Sequence, residues 1–250
     1  MKISAVTTMN QDYYDNIGYN LVKSFIKYWP KEVTLYVYTE DFKLPVQADN
    51  IVELDVYKQC NPGLQKFLDW RGKHFTRKFA YKAYTWINAC KTIKADYLIY
   101  LDADTQTTRE IPMRFFQTIL PKDTLLTYMG APGHTTKEDG TREYRENAET
   151  SVYFFNLNHP YAGKFMKQYE DIYESRKIDN KEIYCKPHDT WVMVDCIRKA
   201  RKNNVRIHNL HPEMEERSPM YRTMLRLCFR HWKGKSKHDK FNQGRFKEAS

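Results

Sequence analysis

Between Tyr97 and Gln106 the chain reads YLIYLDADTQ, an apolar run ending in two aspartates one residue apart. Carboxylates that close repel each other, so a compensating charge has to come from elsewhere. An extended segment points alternate side chains opposite ways, but a turn after the strand brings Asp102 and Asp104 round to a common centre. The pair then either closes the strand as an Asx turn or gathers oxygen ligands about a hard divalent cation, Mg²⁺ or Mn²⁺. Far downstream, HWKGKSK sets His231, Gly234 and Lys237 in an HxxGxxK spacing. Imidazole ligates transition metals, glycine lets backbone approach a phosphate, and lysine neutralises phosphate oxygens. Together the two motifs supply a cation site and a diphosphate clamp.

The elements that must position these groups follow from periodicity. Lys2–Thr8 alternates as a strand, and Tyr14–Tyr28 has helical spacing up to Pro30. Strands are predicted over Val33–Thr39 and Asn50–Leu54, and a loop over Lys58–Phe75, which NPG and RGK punctuate. Thr76 is placed to cap a helix whose Phe79, Ala83, Ile87 and Cys90 share one face, and the strand YLIYL comes next. This alternation of strands and helices predicts βαβ units and a mostly parallel sheet. A continuous apolar strand fits its centre, and ligands then bind beyond the carboxyl ends of the strands, where Asp102 and Asp104 stand. In the second half, strands are expected at Asp123–Met129, Ser151–Leu157 and Val205–Leu210, and helices at Pro160–Ser175 and His188–Asn203. Gly130–Thr150 reads as a polar loop.

Length and composition suit one soluble α/β domain: 250 residues, 41% hydrophobic and 29% charged. One domain is expected over residues 1–234, in two halves at 1–120 and 121–234 that the resemblance given below assigns to nucleotide-sugar binding and to the acceptor, then a mobile basic tail at 235–250. No apolar run reaches the roughly 18 residues of a membrane span. The start, MKISAVTTMN, reads as a strand rather than a signal peptide. Five scattered cysteines without a CxxC pair argue against a zinc framework and for a reducing cytosol. Net charge is +10, and nine basic residues face one acidic residue between Arg222 and Lys247. That cluster is either a solvated face or a contact for nucleotide phosphate, nucleic acid or an anionic membrane surface.

The order DxD then HxxGxxK resembles nucleotide-sugar glycosyltransferases of GT-A fold, in particular the glycogenin and lipopolysaccharide galactosyltransferase group and its bacterial and phage relatives. KISAVTT, YWP before VTLYVYTED, LDADTQTTREIP, ETSVYFFNLNHP and HDTWV are similar to that group, so the likeness spans most of the chain. The resemblance implies a Rossmann-like α/β fold of GT-A type, with a mixed, mostly parallel sheet flanked by helices. It implies Mn²⁺ or Mg²⁺ held by Asp102, Asp104 and His231, and a nucleoside-diphosphate sugar as donor, UDP-linked by default. Asp102 would also contact the donor ribose, and Gly234 and Lys237 its diphosphate. Thr7 and Thr8 resemble the start of the nucleoside pocket, with Tyr13 able to stack on the base. Arg77 and Lys78 resemble basic residues that contact donor phosphates or sugar. Glu149 and Asp189 stand where relatives line the sugar and acceptor, with His188 able to join them in acid–base chemistry or hydrogen bonds to hydroxyls, and Asn156 interrupts an apolar strand end as a further catalytic candidate. HxxGxxK suggests retention of anomeric configuration, whereas Asp189 or Glu149 acting as base would give inversion. Trp191 is expected in the core.

The acceptor would be the hydroxyl of a glycan, a lipid-linked glycan or another molecule, and the setting cytoplasmic, peripheral to a membrane if the tail binds lipid. Two competing readings use the basic C-terminal region: a nucleic-acid-binding protein, or a glycosyltransferase of modified DNA bases.

Overall fold

The computed structural model describes residues 1–71, 77–136, 140–179, 188–213 and 219–232. The first strand, β1 (Ile3–Met9), leads into a helical run in which Asn10 caps α1 (Gln11–Tyr13) by accepting from the Tyr13 amide. A π turn (Tyr14–Gly18) joins α1 to α2 (Tyr19–Tyr28), and β2 (Thr34–Thr39) and β3 (Ile51–Asp55) follow. The predicted loop after β3 is two helices, α3 (Val56–Cys60), which Asp55 caps, and α4 (Gly63–Arg71). Leu64, Phe67 and Leu68 bury one face of α4. NPG is only the hinge between the two helices, and the apolar spacing on either side wins over the turn residues. Thr76 lies outside the described residues.

Next come α5 (Arg77–Thr92), β4 (Tyr97–Leu101), the short β5 (Thr105–Thr107) and α6 (Met113–Ile119). The stretch read as a polar loop is a long hairpin, β6 (Leu126–Thr136) and β7 (Arg142–Asn156). Pairing runs from Leu126↔Phe155 to Thr136↔Arg142, with a break in register between Thr127 and Met129. Helices α7 (Ala162–Glu174) and α8 (Asp189–Lys202) and strand β8 (Ile207–Asn209) lie close to their predicted positions. Two 3₁₀ turns, Pro219–Arg222 and Met224–Leu227, lead to β9 (Phe229–His231).

The main sheet has the order β3-β2-β1-β4-β7-β6-β8. Four of its pairings are parallel, and β7 is antiparallel to both neighbours. All five residues of β4 are buried, as a central strand covered on both faces requires. Alternate residues feed the two faces: Leu98 and Tyr100 pack with α5, α7 and α8, whereas Tyr97, Ile99 and Leu101 pack with α2 and α6. Each such side chain contributes ~1.5–3 kcal/mol by leaving water.

The chain builds outward from β1 through β2 to β3, then returns to place β4 on β1's other side. The sheet therefore has its switch point between β1 and β4, where a crevice opens at the strands' carboxyl ends. A second sheet pairs β5 with β9 in antiparallel register, setting Thr105 opposite His231. The Thr107 amide donates to Ser24 Oγ (3.0 Å), and Trp29 Nε1 donates to Thr107 Oγ1 (2.8 Å), so α2 anchors this small sheet. Among the described residues no helix is long and apolar enough to cross a membrane.

Candidate active site

The crevice at the switch point is a cleft of about 790 Å³. The end of β1 contributes Thr8, Met9 and Asn10, and the end of β4 contributes Tyr100, Asp102, Ala103 and Asp104. Antiparallel pairing with β7 fixes how β4 ends: Leu101 lies opposite Val152, and the Asp102 amide donates to the Ser151 carbonyl at 2.7 Å. A turn follows, closed by the Thr105 amide on the Asp102 carbonyl (2.8 Å). It brings the two carboxylates round, as the spacing requires.

The β5–β9 pairing adds the third group. The Trp232 amide donates to the Asp104 carbonyl (3.0 Å), and His231 Nε2 lies 3.0 Å from Asp104 Oδ1. Asp102, Asp104 and His231 thus offer two carboxylate oxygens and an imidazole nitrogen within 4.8 Å of one another. Residues 127 positions apart meet because two three-residue strands pair. That donor set fits a divalent cation of the Mn²⁺ or Mg²⁺ class, with the imidazole favouring the transition metal.

The compensating charges are protein groups too. Lys82, on α5, is 8% exposed, and its ammonium donates to Asp102 Oδ1 (2.8 Å), Thr150 O (2.7 Å) and Thr150 Oγ1 (3.0 Å). It also pairs with Asp189 Oδ2 at 3.0 Å, and Thr150 Oγ1 donates to that oxygen at 2.8 Å. Burial lowers the Lys82 pKa, but the Asp102 and Asp189 carboxylates outweigh it, and the net shift is upward. Desolvation raises the Asp102 carboxyl to about 6; Lys82 opposes that rise and Asp104 adds to it. Tyr13 donates from its hydroxyl to Asp104 Oδ2 (3.0 Å). Its phenol is held well above its ordinary pKa by burial, then by Asp104 and Asp102.

Most of the residues singled out in the sequence line this cleft: Thr8, Tyr13, Arg77, Lys78, Asp102, Asp104, Glu149 and Asp189. Thr8 Oγ1 donates to the Tyr38 carbonyl (3.1 Å), and Glu149 Oε1 accepts from the Ser151 amide (3.2 Å). Arg77 and Lys78 open α5 on the cleft wall, beside His188, whose ring packs 4.6 Å from Phe79. Trp191 is in the core as expected.

Two of the expected residues lie away from the cleft lining. Thr7 is fully buried within the sheet and does not reach the cleft, because its neighbour Thr8 takes the open side of β1. Asn156 pairs with Tyr97 at the start of β4, the opposite end of the sheet from Asp102. There its amide donates to the Lys122 carbonyl (3.2 Å) and accepts from the Asn158 amide (3.1 Å), so it closes a turn rather than serving the cleft. Gly234 and Lys237 lie outside the described residues.

Sequence reasoning missed Lys82, Thr150 and the far wall of Glu40, Tyr57 and Tyr81, whose hydroxyls meet at 2.8 Å. Burial, then the neighbouring Asp41, raises the Glu40 carboxyl from 4.5 to about 7. Six carboxylates line the cleft (Glu40, Asp41, Asp102, Asp104, Glu149 and Asp189) against the cations Arg77, Lys78 and Lys82. A bound divalent cation would offset that surplus, although the chain as a whole is basic.

No family model matches the chain, and no curated protein does. Among solved structures it is similar to mouse xyloside xylosyltransferase 1, at 11% identity and a TM-score of 0.53, over 84% of this chain and 85% of that one. It is also similar to the bifunctional glycosyltransferase WbbM (11% identity, TM-score 0.45, 82% of this chain). A third likeness is to the glycosyltransferase GlyE of Streptococcus pneumoniae TIGR4 (12% identity, TM-score 0.42, 83% of this chain). The chain spans 45% of the length of each of these last two. The xylosyltransferase likeness and the sheet order together define the fold: a Rossmann-like α/β fold of GT-A type, with a mixed, mostly parallel sheet flanked by helices.

Proposed function

We propose that the chain is a metal-dependent glycosyltransferase, moving a sugar from a nucleoside-diphosphate sugar, UDP-linked by default, to an acceptor hydroxyl. The observation that carries this reading is the convergence of Asp102, Asp104 and His231 at the switch point of a GT-A-type sheet. These three residues would hold Mn²⁺ or Mg²⁺, which when bound supplies positive charge against the diphosphate as it leaves.

The chain's own groups divide the rest of the work. Thr8 and Tyr13, at the end of β1 and in α1, receive the nucleoside. Arg77 and Lys78, on the cleft wall, would neutralise charge on the diphosphate where it develops. Gly234 and Lys237 of the C-terminal motif, outside the described residues, are assigned to the same diphosphate by the sequence pattern alone. Lys82 binds Asp102 and Asp189 at once, so it sets the cation side and the sugar side of the cleft in fixed relation. Asp189 and Glu149 stand on the sugar side, where a carboxylate can orient a hydroxyl or accept its proton. Residues 1–120 would then carry the donor and 121–234 the acceptor, with retention the outcome that the C-terminal motif suggests.

Asp104→Asn keeps the side-chain shape and removes the charge. It should lower donor turnover by about a hundredfold or more while leaving the fold intact. Turnover equal to that of the unaltered chain would refute the mechanism.

A further inference from the structure

A second pocket, of about 490 Å³, opens at the opposite end of the sheet from the cleft. Tyr97, which starts β4, pairs with Asn156, which ends β7, and both line it. Asp102 lies five residues beyond Tyr97, so about 17 Å of extended strand separates this pocket from the cation site. Leu120, Tyr97 and Pro160 supply its apolar surface, and Gln117, Asn156, Asn158 and His159 supply planar polar groups. A pocket of this size and mixed lining is that of a small-molecule site.

The polar groups keep bonding capacity in reserve. Asn156 is 6% exposed; it donates to the Lys122 carbonyl (3.2 Å) and accepts from the Asn158 amide (3.1 Å). Those contacts use two of the four hydrogen bonds that a carboxamide can make. The Asn158 side chain donates to Asp96 Oδ1 (2.8 Å). His159 Nδ1 accepts from the Tyr161 amide (3.1 Å), which leaves Nε2 to carry the ring proton as a donor. Burial holds the His159 ring below its ordinary pKa, and so neutral. Hydrogen bonds from the Lys2 amide and from Arg206 hold the Asp96 and Asp123 carboxyls below their ordinary range. These two carboxylates stand on the lining with Lys122 and the Met1 amine, so the pocket carries no surplus charge of either sign.

We propose that this pocket binds a neutral saccharide and is a carbohydrate site separate from the cleft. A sugar ring presents apolar C–H surface beside hydroxyls that each donate and accept. Carboxamides and carboxylates set next to an apolar wall match both. A phosphate would meet Asp96 and Asp123 with no surplus of cations to offset them. An apolar ligand would strip water from Gln117, Asn156 and Asn158 without replacing its hydrogen bonds. The pocket shares no lining residue with the cleft, so the proposal stands whether or not the cleft transfers sugar.

The test is a saturation-transfer NMR titration of the full chain with neutral hexasaccharides of glucose, mannose, galactose, xylose and N-acetylglucosamine. At least one should bind saturably. Gln117→Ala and Asn158→Ala each remove a carboxamide and should weaken that binding about 2–10-fold, and the double variant more than about tenfold. Asp104→Asn, in the cleft, should leave it unchanged. Should Asn158→Ala melt early through loss of its contact with Asp96, Gln117→Ala, exposed on α6, keeps the test. Binding of none of these sugars overturns the proposal, and so does undiminished binding by the folded variants. Binding lost in Asp104→Asn but kept in Gln117→Ala overturns it in favour of the cleft.

Discussion

Lys82→Met isolates the charge at the centre of the site, because methionine keeps most of the aliphatic stem and loses only the ammonium. In the unaltered chain that ammonium meets Asp102, Asp189 and both oxygens of Thr150 within 3.0 Å. Removing one partner of a buried ion pair costs ~3–5 kcal/mol, since the remaining charge stays buried and unmatched. The two carboxylates differ in how they can respond. The Asp102 side chain is 28% exposed and can rehydrate, whereas that of Asp189 is 4% exposed and cannot. The lower end, about 3 kcal/mol, is therefore the expected loss, and for a chain of this size it lowers Tm by about 6–12 °C. Thermal and urea denaturation of the two proteins under identical conditions measure it. Lys91→Met is the control, because Lys91 pairs with Glu170 on the surface with its side chain 54% exposed, and its loss should cost under about 1 kcal/mol. A Lys82→Met loss no larger than the control's would refute the claim that this lysine holds the two carboxylates together.

Two further outcomes follow from Glu40, on the far wall of the cleft, and from Asn156, at the other end of the sheet. The Glu40 carboxyl titrates at about 7 in the folded chain against 4.5 ordinarily, so the native state keeps its proton longer. Its stabilising contribution is full at low pH and is lost as pH rises through about 7. Glu40→Gln should therefore stabilise the protein by on the order of 1–3 kcal/mol near about pH 8 and change little near about pH 5. Urea titrations at the two values check this, and an equal effect at both would contradict it. Asn156→Ala should cost about 1–2 kcal/mol through two lost turn hydrogen bonds. It should leave stabilisation by nucleotide and Mn²⁺ unchanged in a thermal melt, and a lost response would contradict its position away from the cleft.

The legible parts of the fold were those in which periodicity and burial agree. YLIYL could be read as a central strand because both its faces are covered, and its terminal aspartates were placed by the rule that ligands sit beyond strand ends. His231 was found by pattern, but its approach to Asp104 depends on the β5–β9 register, which two three-residue strands do not announce. Lys82 was invisible for another reason: a lysine in an amphipathic helix reads as its solvated face, and only Asp102 and Asp189, 20 and 107 positions away, make it an interior residue. The β6–β7 hairpin is hard to read in the sequence because the start of β7, REYRE, offers no apolar alternation against which a strand can be recognised. Asn156 shows how a polar residue can end an apolar strand with hydrogen bonds of a turn, which the sequence does not distinguish from a site residue.

The most direct test of the cation–diphosphate site is a thermal melt of the chain with nucleoside diphosphates and their sugars, each with and without Mn²⁺. The site predicts a rise of about 5–10 °C at about a hundredfold excess over Kd, requiring both the metal and one nucleotide. That rise should be absent from a folded Asp104→Asn variant. The same rise without metal, or its persistence in that variant, would contradict the assignment of Asp102, Asp104 and His231 as the site that joins them.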